Sequence, residues 1–161
     1  MNWVEGQQFS DRLQEAGRTV FYPHCGAGRM LRAIATVWRS IRLHEPVEAW
    51  CTAAHRLAEQ YFPHVLNSSI RPLLTLVRAW ARDPRGRLVN DCLLLHVLGR
   101  LTLREEIHAL LRDLAAILPA GGLVIIRENI LLADDEGLAT HTDIGLMWSA
   151  HRCMVRSLQQ Y

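Results

Sequence analysis

The sequence predicts an α/β protein with a parallel sheet covered by helices on both faces. Three observations lead there. Short β-prone runs alternate with amphipathic helical stretches along most of the chain. The later β-prone runs are continuously apolar, as strands buried on both faces are. A glycine-containing turn, Gly26–Gly28, sits between the first such run and the helical stretch after it.

The elements follow in order. Residues 4–16 are expected to form an amphipathic helix, with Val4, Phe9 and Leu13 on one face. Thr19–Tyr22 is a first strand stopped by Pro23, and residues 29–39 form a helix with Met30, Leu31, Ile34 and Val37 at helical spacing. Ile41–Leu43 is the second strand, closed by Glu45-Pro46, and residues 47–61 are helical again. Val65–Ile70 is a third strand and Pro72–Trp80 a helix, with a turn at Arg82-Asp-Pro-Arg-Gly-Arg87. Val89–Leu98 is a buried parallel strand. Thr102 with Glu105 forms a capping box for a helix whose apolar stripe is Ile107, Leu110, Leu111, Leu114 and Leu118. Pro119-Ala-Gly-Gly122 ends that helix and Gly122–Arg127 is a fifth, buried strand. An acidic loop (Asp134, Asp135, Glu136) and a last helix over about 140–160 complete the chain.

Composition bounds the function. The chain has 161 residues, 50% of them hydrophobic and 21% charged, which suits one soluble domain, 1–161. It divides into a lead-in over 1–18, a core over 19–130 and a tail over 131–161. No apolar run approaches the ~20 residues of a membrane span. The N-terminus carries Glu5, Asp11 and Glu15, unlike a secretory or mitochondrial leader, so an intracellular protein is expected, in the cytoplasm or the mitochondrion. The four cysteines are scattered, without zinc spacing, and are expected to be reduced and mostly buried. No histidine pattern suggests a metal. All 18 basic residues are arginine, which fits either a GC-rich coding bias or a need for planar guanidinium groups. His96 is expected to be a hydrogen-bonded core histidine.

Four motifs carry the chemistry. Cys25-Gly-Ala-Gly-Arg29 follows a strand and opens a helix, where glycines allow close backbone approach and a helix start favours an anion. Glu45 ends the next strand, where a carboxylate can accept both hydroxyls of a ribose. The third is the strand Asp91–Leu98 running into Gly99-Arg-Leu-Thr102, and the fourth is Leu118-Pro-Ala-Gly-Gly-Leu-Val-Ile-Ile126.

Those motifs, with Leu43-His-Glu-Pro-Val-Glu-Ala-Trp50 and the continuation Arg127-Glu-Asn129, resemble successive blocks of the alpha-N-terminal protein methyltransferases over residues 19–145. The resemblance implies a Rossmann-like class I S-adenosylmethionine (SAM) methyltransferase sheet of about five parallel strands in the order 3-2-1-4-5, without the family's C-terminal hairpin. It implies SAM as cofactor, with Gly26 and Gly28 along the methionine moiety, Arg29 on its carboxylate and Glu45 on the ribose. Asn129 would lie in the peptide channel, and His141 falls where the family carries an acidic residue that helps deprotonate the amine.

The sequence departs from the family at several of these places. The glycine loop is two residues shorter, Leu95 and His96 replace a Gln-Trp pair, and Arg100 replaces a histidine proposed as proton acceptor. An arginine cannot act as a base at neutral pH. These departures favour a degenerate member that serves as a structural or assembly subunit, for example in a ribonucleoprotein such as an organellar ribosome. An active enzyme and a regulatory partner of one are the alternatives. A protein partner is expected over the edge of strand 122–127. RNA or partner contact is expected through Arg71 and the stretch Arg78, Trp80, Arg82, Arg85 and Arg87, which pairs basic groups with an aromatic.

Overall fold

The computed structural model describes residues 17–83, 89–101 and 103–127. The expected helix at 4–16, the acidic loop, the last helix, Thr102, Arg85, Arg87, Asn129 and His141 lie outside them. Within the described residues, five parallel strands stand in the order β3-β2-β1-β4-β5, as the sequence predicts. They are β1 (Thr19–Pro23), β2 (Ser40–His44), β3 (His64–Ser69), β4 (Asp91–Leu95) and β5 (Leu123–Arg127). Four α-helices connect them: α1 (Leu31–Ile34), α2 (Glu48–Ala58), α3 (Leu73–Arg82) and α4 (Arg104–Ile117).

Alternation along the strands divides the core into two layers. Val20 and Tyr22 of β1, Ile41 and Leu43 of β2 and Leu93 of β4 pack with Leu31, Ile34, Ala54 and Ala58 on the α1–α2 side. Phe21, Cys92 and Leu94 point the other way, into Leu73, Leu76 and Val77 of α3 and Leu110, Leu114 and Ile117 of α4. Burial on both faces explains why β1 and β4 read as apolar runs, while β2 carries Arg42 between Ile41 and Leu43.

The sheet is pinned at its N-terminal edge by Asp91, which is fully buried. Its Oδ2 accepts from Trp38 Nε1 at 2.8 Å and from Arg18 Nε at 2.9 Å. Its Oδ1 accepts from Arg18 Nη2 and, at 3.0 Å, from the Leu123 N–H. One carboxylate thus ties the residue before β1, the end of the α1 crossover and the first residue of β5 together. Beside it, Asn90 Oδ1 accepts from the Thr19 N–H at 2.8 Å, and its own N–H donates to the Thr19 carbonyl at 2.8 Å.

Several sequence expectations are corrected. The helix expected over 29–39 is only the single turn Leu31–Ile34. The Thr36 hydroxyl donates to the Ala33 carbonyl at 2.7 Å, and the Thr36 and Val37 N–H groups bond three residues back, so the chain leaves the α-helix. The cap of α4 is one residue later than expected: the Glu106 carboxylate accepts from the Leu103 N–H at 3.2 Å. β4 stops at Leu95, and His96 is not in the core. It is exposed, with left-handed backbone (φ 56°). β5 is half-buried along its length rather than buried, because it is the outermost strand of the described sheet.

Candidate functional site

The C-terminal ends of β1, β2 and β4 meet where the strand order reverses, the place where open α/β sheets bind ligands. The glycine loop leaves β1 there. The Cys25 N–H extends the sheet by donating to the His44 carbonyl at 3.1 Å, and the Gly28 N–H turns back to the Cys25 carbonyl at 3.0 Å. Gly26 has φ 54° and Gly28 has φ 88°, a region that side chains with a Cβ rarely enter. The two differ in surroundings. A Cβ on Gly26 would meet open space, whereas one on Gly28 would come within 2.5 Å of Leu31 Cδ1 and 3.4 Å of Ala54 Cα. Gly28 therefore serves close packing of the loop against α1 and α2, and Gly26 is the glycine that borders free space. Gly28→Ala is expected to cost about 1–3 kcal/mol from backbone strain and the clash, read as a lower urea midpoint with an unchanged slope.

Glu45 lies directly after β2, as the sequence reading requires, but its carboxylate is already engaged. Oε2 accepts from the Gly26 N–H at 2.9 Å and Oε1 from the Val47 N–H at 3.1 Å. Its own N–H donates to the Ser69 carbonyl at 3.0 Å, and the residue is 1% exposed. As arranged, it presents no exposed oxygen to a ribose and joins the glycine loop to the start of α2. Arg29 is exposed. The four-residue α1 behind it supplies little of the dipole that a long helix would offer a carboxylate.

Two histidines that sequence reading left in the background sit at the centre. His44, fully buried, donates from Nε2 to the Arg71 carbonyl at 2.6 Å and accepts on Nδ1 from the His24 N–H at 3.4 Å. A carbonyl only accepts, which fixes the proton on Nε2. The His24 ring meets His44 edge-on at 5.1 Å, and Arg100 Nη1 reaches across from the loop after β4 to His24 Nδ1 at 3.5 Å. Burial, then His44 and Arg100, push His24 down to about 4, and burial lowers His44 as well. Burial also raises Tyr22 and Cys25 to about 12 each, so both keep their protons. Among the described residues, His24 and His96 are the non-glycine residues with positive φ, and each directly follows one of the two strands at the reversal. Only the adjacency of His24 to the glycine loop marked it in the sequence.

The histidines set a pH dependence. Both folded values lie below the ordinary 6.5, that of His24 at about 4, so the unfolded chain binds more protons below 6.5 and, for His24, down to about 4. Stability is fully present above pH 6.5 and falls as pH drops towards 4. Urea midpoints across that window check this, and His24→Gln is expected to flatten the fall.

The basic segment is divided by the fold. Arg78 Nε faces Asp113 Oδ2 of α4 at 3.6 Å, while Arg71 and Arg82 are exposed. Trp80 is turned inward. Its ring meets Phe21 edge-on at 4.9 Å, and the Arg42 guanidinium of β2 lies 4.8 Å from its centre. Arg42 Nε, buried, has no hydrogen-bond partner among the described residues. Among the described residues, no cluster of three metal-ligating side chains occurs, and no helix is long and apolar enough to cross a membrane. Cys25, Cys51 and Cys92 are buried free thiols.

No protein-family model and no curated protein matches the sequence. Solved structures do. The sugar N-methyltransferase KedS8 from Streptoalloteichus sp. superposes with a TM-score of 0.60 at 16% identity, over 82% of this chain and 49% of that one. SAM-bound CalS10, an amino pentose methyltransferase from Micromonospora echinaspora, gives 0.56 at 18% identity over 82% and 53%. DesVI from Streptomyces venezuelae gives 0.54 at 17% identity over 83% and 53%. The chain spans about half the length of these structures. Strand order, the parallel sheet and these neighbours together identify the fold as that of the class I SAM-dependent methyltransferases.

Proposed function

We propose that this chain is a methyltransferase-fold domain, related to the protein N-terminal methyltransferases, that has kept the sheet and given up cofactor binding. It works as a structural or assembly subunit of a larger complex. The observation behind this reading is Glu45, whose two oxygens accept from the Gly26 and Val47 N–H groups while the residue is 1% exposed. A group holding its own loop this way is a strut rather than a ligand. The shortened glycine loop and the arginine at position 100 favour the same reading.

The surfaces for such a role are the half-buried outer strand β5 and the exposed Arg71, Arg78 and Arg82. A protein partner would cover the 122–127 edge, because β5 is apolar and is the outermost strand among the described residues. RNA phosphates would meet the arginines, as in a ribonucleoprotein such as an organellar ribosome. Trp80, held beneath Arg42, leaves phosphate contact rather than base stacking as the main term.

Calorimetric titration of the folded chain with SAM and with S-adenosylhomocysteine tests the proposal. The expected result is no binding tighter than about 1 mM. Micromolar binding that Glu45→Ala abolishes would overturn it. It would favour the second reading, an active SAM-dependent alpha-N-terminal protein methyltransferase, for which the open space at Gly26 and the SAM-bound neighbour make cofactor binding plausible.

A further inference from the structure

A second constellation stands on the outer flank of the sheet, between α2 and β3. Ser68 Oγ lies 2.8 Å from His55 Nδ1, and His55 Nε2 faces Glu59 Oε1 at 3.6 Å. The Ser68 side chain also hydrogen-bonds the Cys51 thiol, whose own proton is turned to the Ser69 carbonyl at 3.9 Å. The pattern that serves Ser68, His55 and Glu59 has the hydroxyl donating to Nδ1 and the Nε2 proton turned towards the carboxylate. A nucleophile within hydrogen-bond reach of a base, with the base oriented by a third group, is the general signature of an activated hydroxyl.

The backbone is shaped to produce this contact. β3 pairs regularly with β2 through Ser40–His64, Ile41–Val65 and Arg42–Leu66, but the next partners are His44 and Ser69. Asn67 and Ser68 therefore both stand opposite Leu43. Val65 packs into the α2-side core, so strict alternation would send Asn67 to that side and Ser68 away from it. The extra residue brings Ser68 round to α2, and Asn67 is exposed. A bulge on an outer strand also discourages strand pairing, but that role alone does not require a serine facing a histidine. Ser68 is half-buried and the His55 side chain is 34% exposed, so a reagent can reach the pair.

We propose that Ser68 is an acyl-accepting nucleophile, with His55 as its base and Glu59 as a positioning residue, that takes the acyl group of a reactive ester or thioester. Ser68 Oγ attacks the carbonyl carbon while its proton passes to His55 Nδ1. The bond to the leaving oxygen or sulfur then breaks, and the leaving group takes that proton from His55. The product is an O-acyl serine, and no oxidant or reductant is consumed.

Competing acylation is limited: the chain has no lysine, and burial raises the Cys25, Cys51 and Cys92 thiols. Acetyl on the α-amine, Cys153 or another histidine is told apart from acetyl on Ser68 by the peptide masses. The folded chain is therefore to be treated with p-nitrophenyl acetate, with p-nitrophenolate release and peptide mass spectra as readouts. The expected result is a burst of about one equivalent, with acetyl on Ser68, which Ser68→Ala removes and His55→Gln slows about 100-fold. Glu59→Gln, a surface change without folding risk, is expected to slow it several-fold. Acetylation of Ser68 no faster than that of Ser69, or a rate indifferent to His55→Gln in a variant with unchanged circular dichroism, would overturn the proposal. None of these readouts depends on whether SAM binds, so the two proposals fail separately.

Discussion

Asp91→Ala is expected to cost about 3–5 kcal/mol and to lower the melting temperature by roughly 10 °C or more. The cost comes from what the carboxylate leaves behind. Arg18, with a side chain 13% exposed, would keep its charge without this counterion, and Trp38 Nε1 and the Leu123 N–H would lose their acceptor. Removing one member of a buried charge pair costs more than the pair contributes, because the remaining charge and donors lose an acceptor where water returns poorly. Asp91→Asn should recover only part of the loss, since an amide has one acceptor oxygen for a site that uses two. Net stability of a domain is only about 5–15 kcal/mol, so a large unfolded fraction at 37 °C is within reach of this single change. Thermal melts followed by circular dichroism measure it. A drop of only a degree or two would mean that the four hydrogen bonds are replaceable by water.

Glu45→Ala has the second largest expected effect, and it separates the two readings of the crevice. If Glu45 is a strut, alanine takes the carboxylate acceptor from the part-buried Gly26 and Val47 N–H groups, at roughly 2–4 kcal/mol. The loop 24–29 and the first turn of α2 should then exchange their amide hydrogens faster, while β4 and α4 stay protected. If Glu45 is a cofactor ligand, alanine should change stability little and remove SAM affinity instead. Hydrogen exchange on the free chain, with a parallel titration, distinguishes the outcomes.

The fold was legible in the sequence because its signals are local and redundant. β1, β4 and β5 each carry three or four apolar residues in a row, and each connection carries a proline, a glycine or a charged helix face. The resemblance to a known family supplied the strand order, and the structure agrees. Helix lengths were less legible. Residues 29–39 have helical spacing of apolar groups, yet Thr36 closes the helix through its own hydroxyl, a choice that spacing cannot reveal. His96 misled for a similar reason. It sits in an apolar run, but the strand ends one residue earlier and turns it outward.

The candidate site was legible as a place more than as an arrangement. Gly26, Gly28 and Glu45 do gather at the reversal of strand order. That Gly28 faces Ala54, and that Glu45 accepts from the loop itself, depends on contacts across nineteen and more residues. Ser68 and His55 carried no sequence signal at all, because the bulge that brings them together is a matter of register.

The place of β1 in the sheet has a consequence for how the chain matures. β1 is paired on one side by β2 and on the other by β4, which arrives some seventy residues later. As the chain emerges from the ribosome, β1, β2 and β3 can associate early, but one edge of β1 stays unpaired until Asn90 and Asp91 appear. Until then Arg18 and Trp38 have no Asp91 to bind, and Phe21 has no α4 to cover it. The nascent half-sheet is thus an apolar, sticky surface for several seconds at ordinary rates of synthesis, a natural substrate for chaperones.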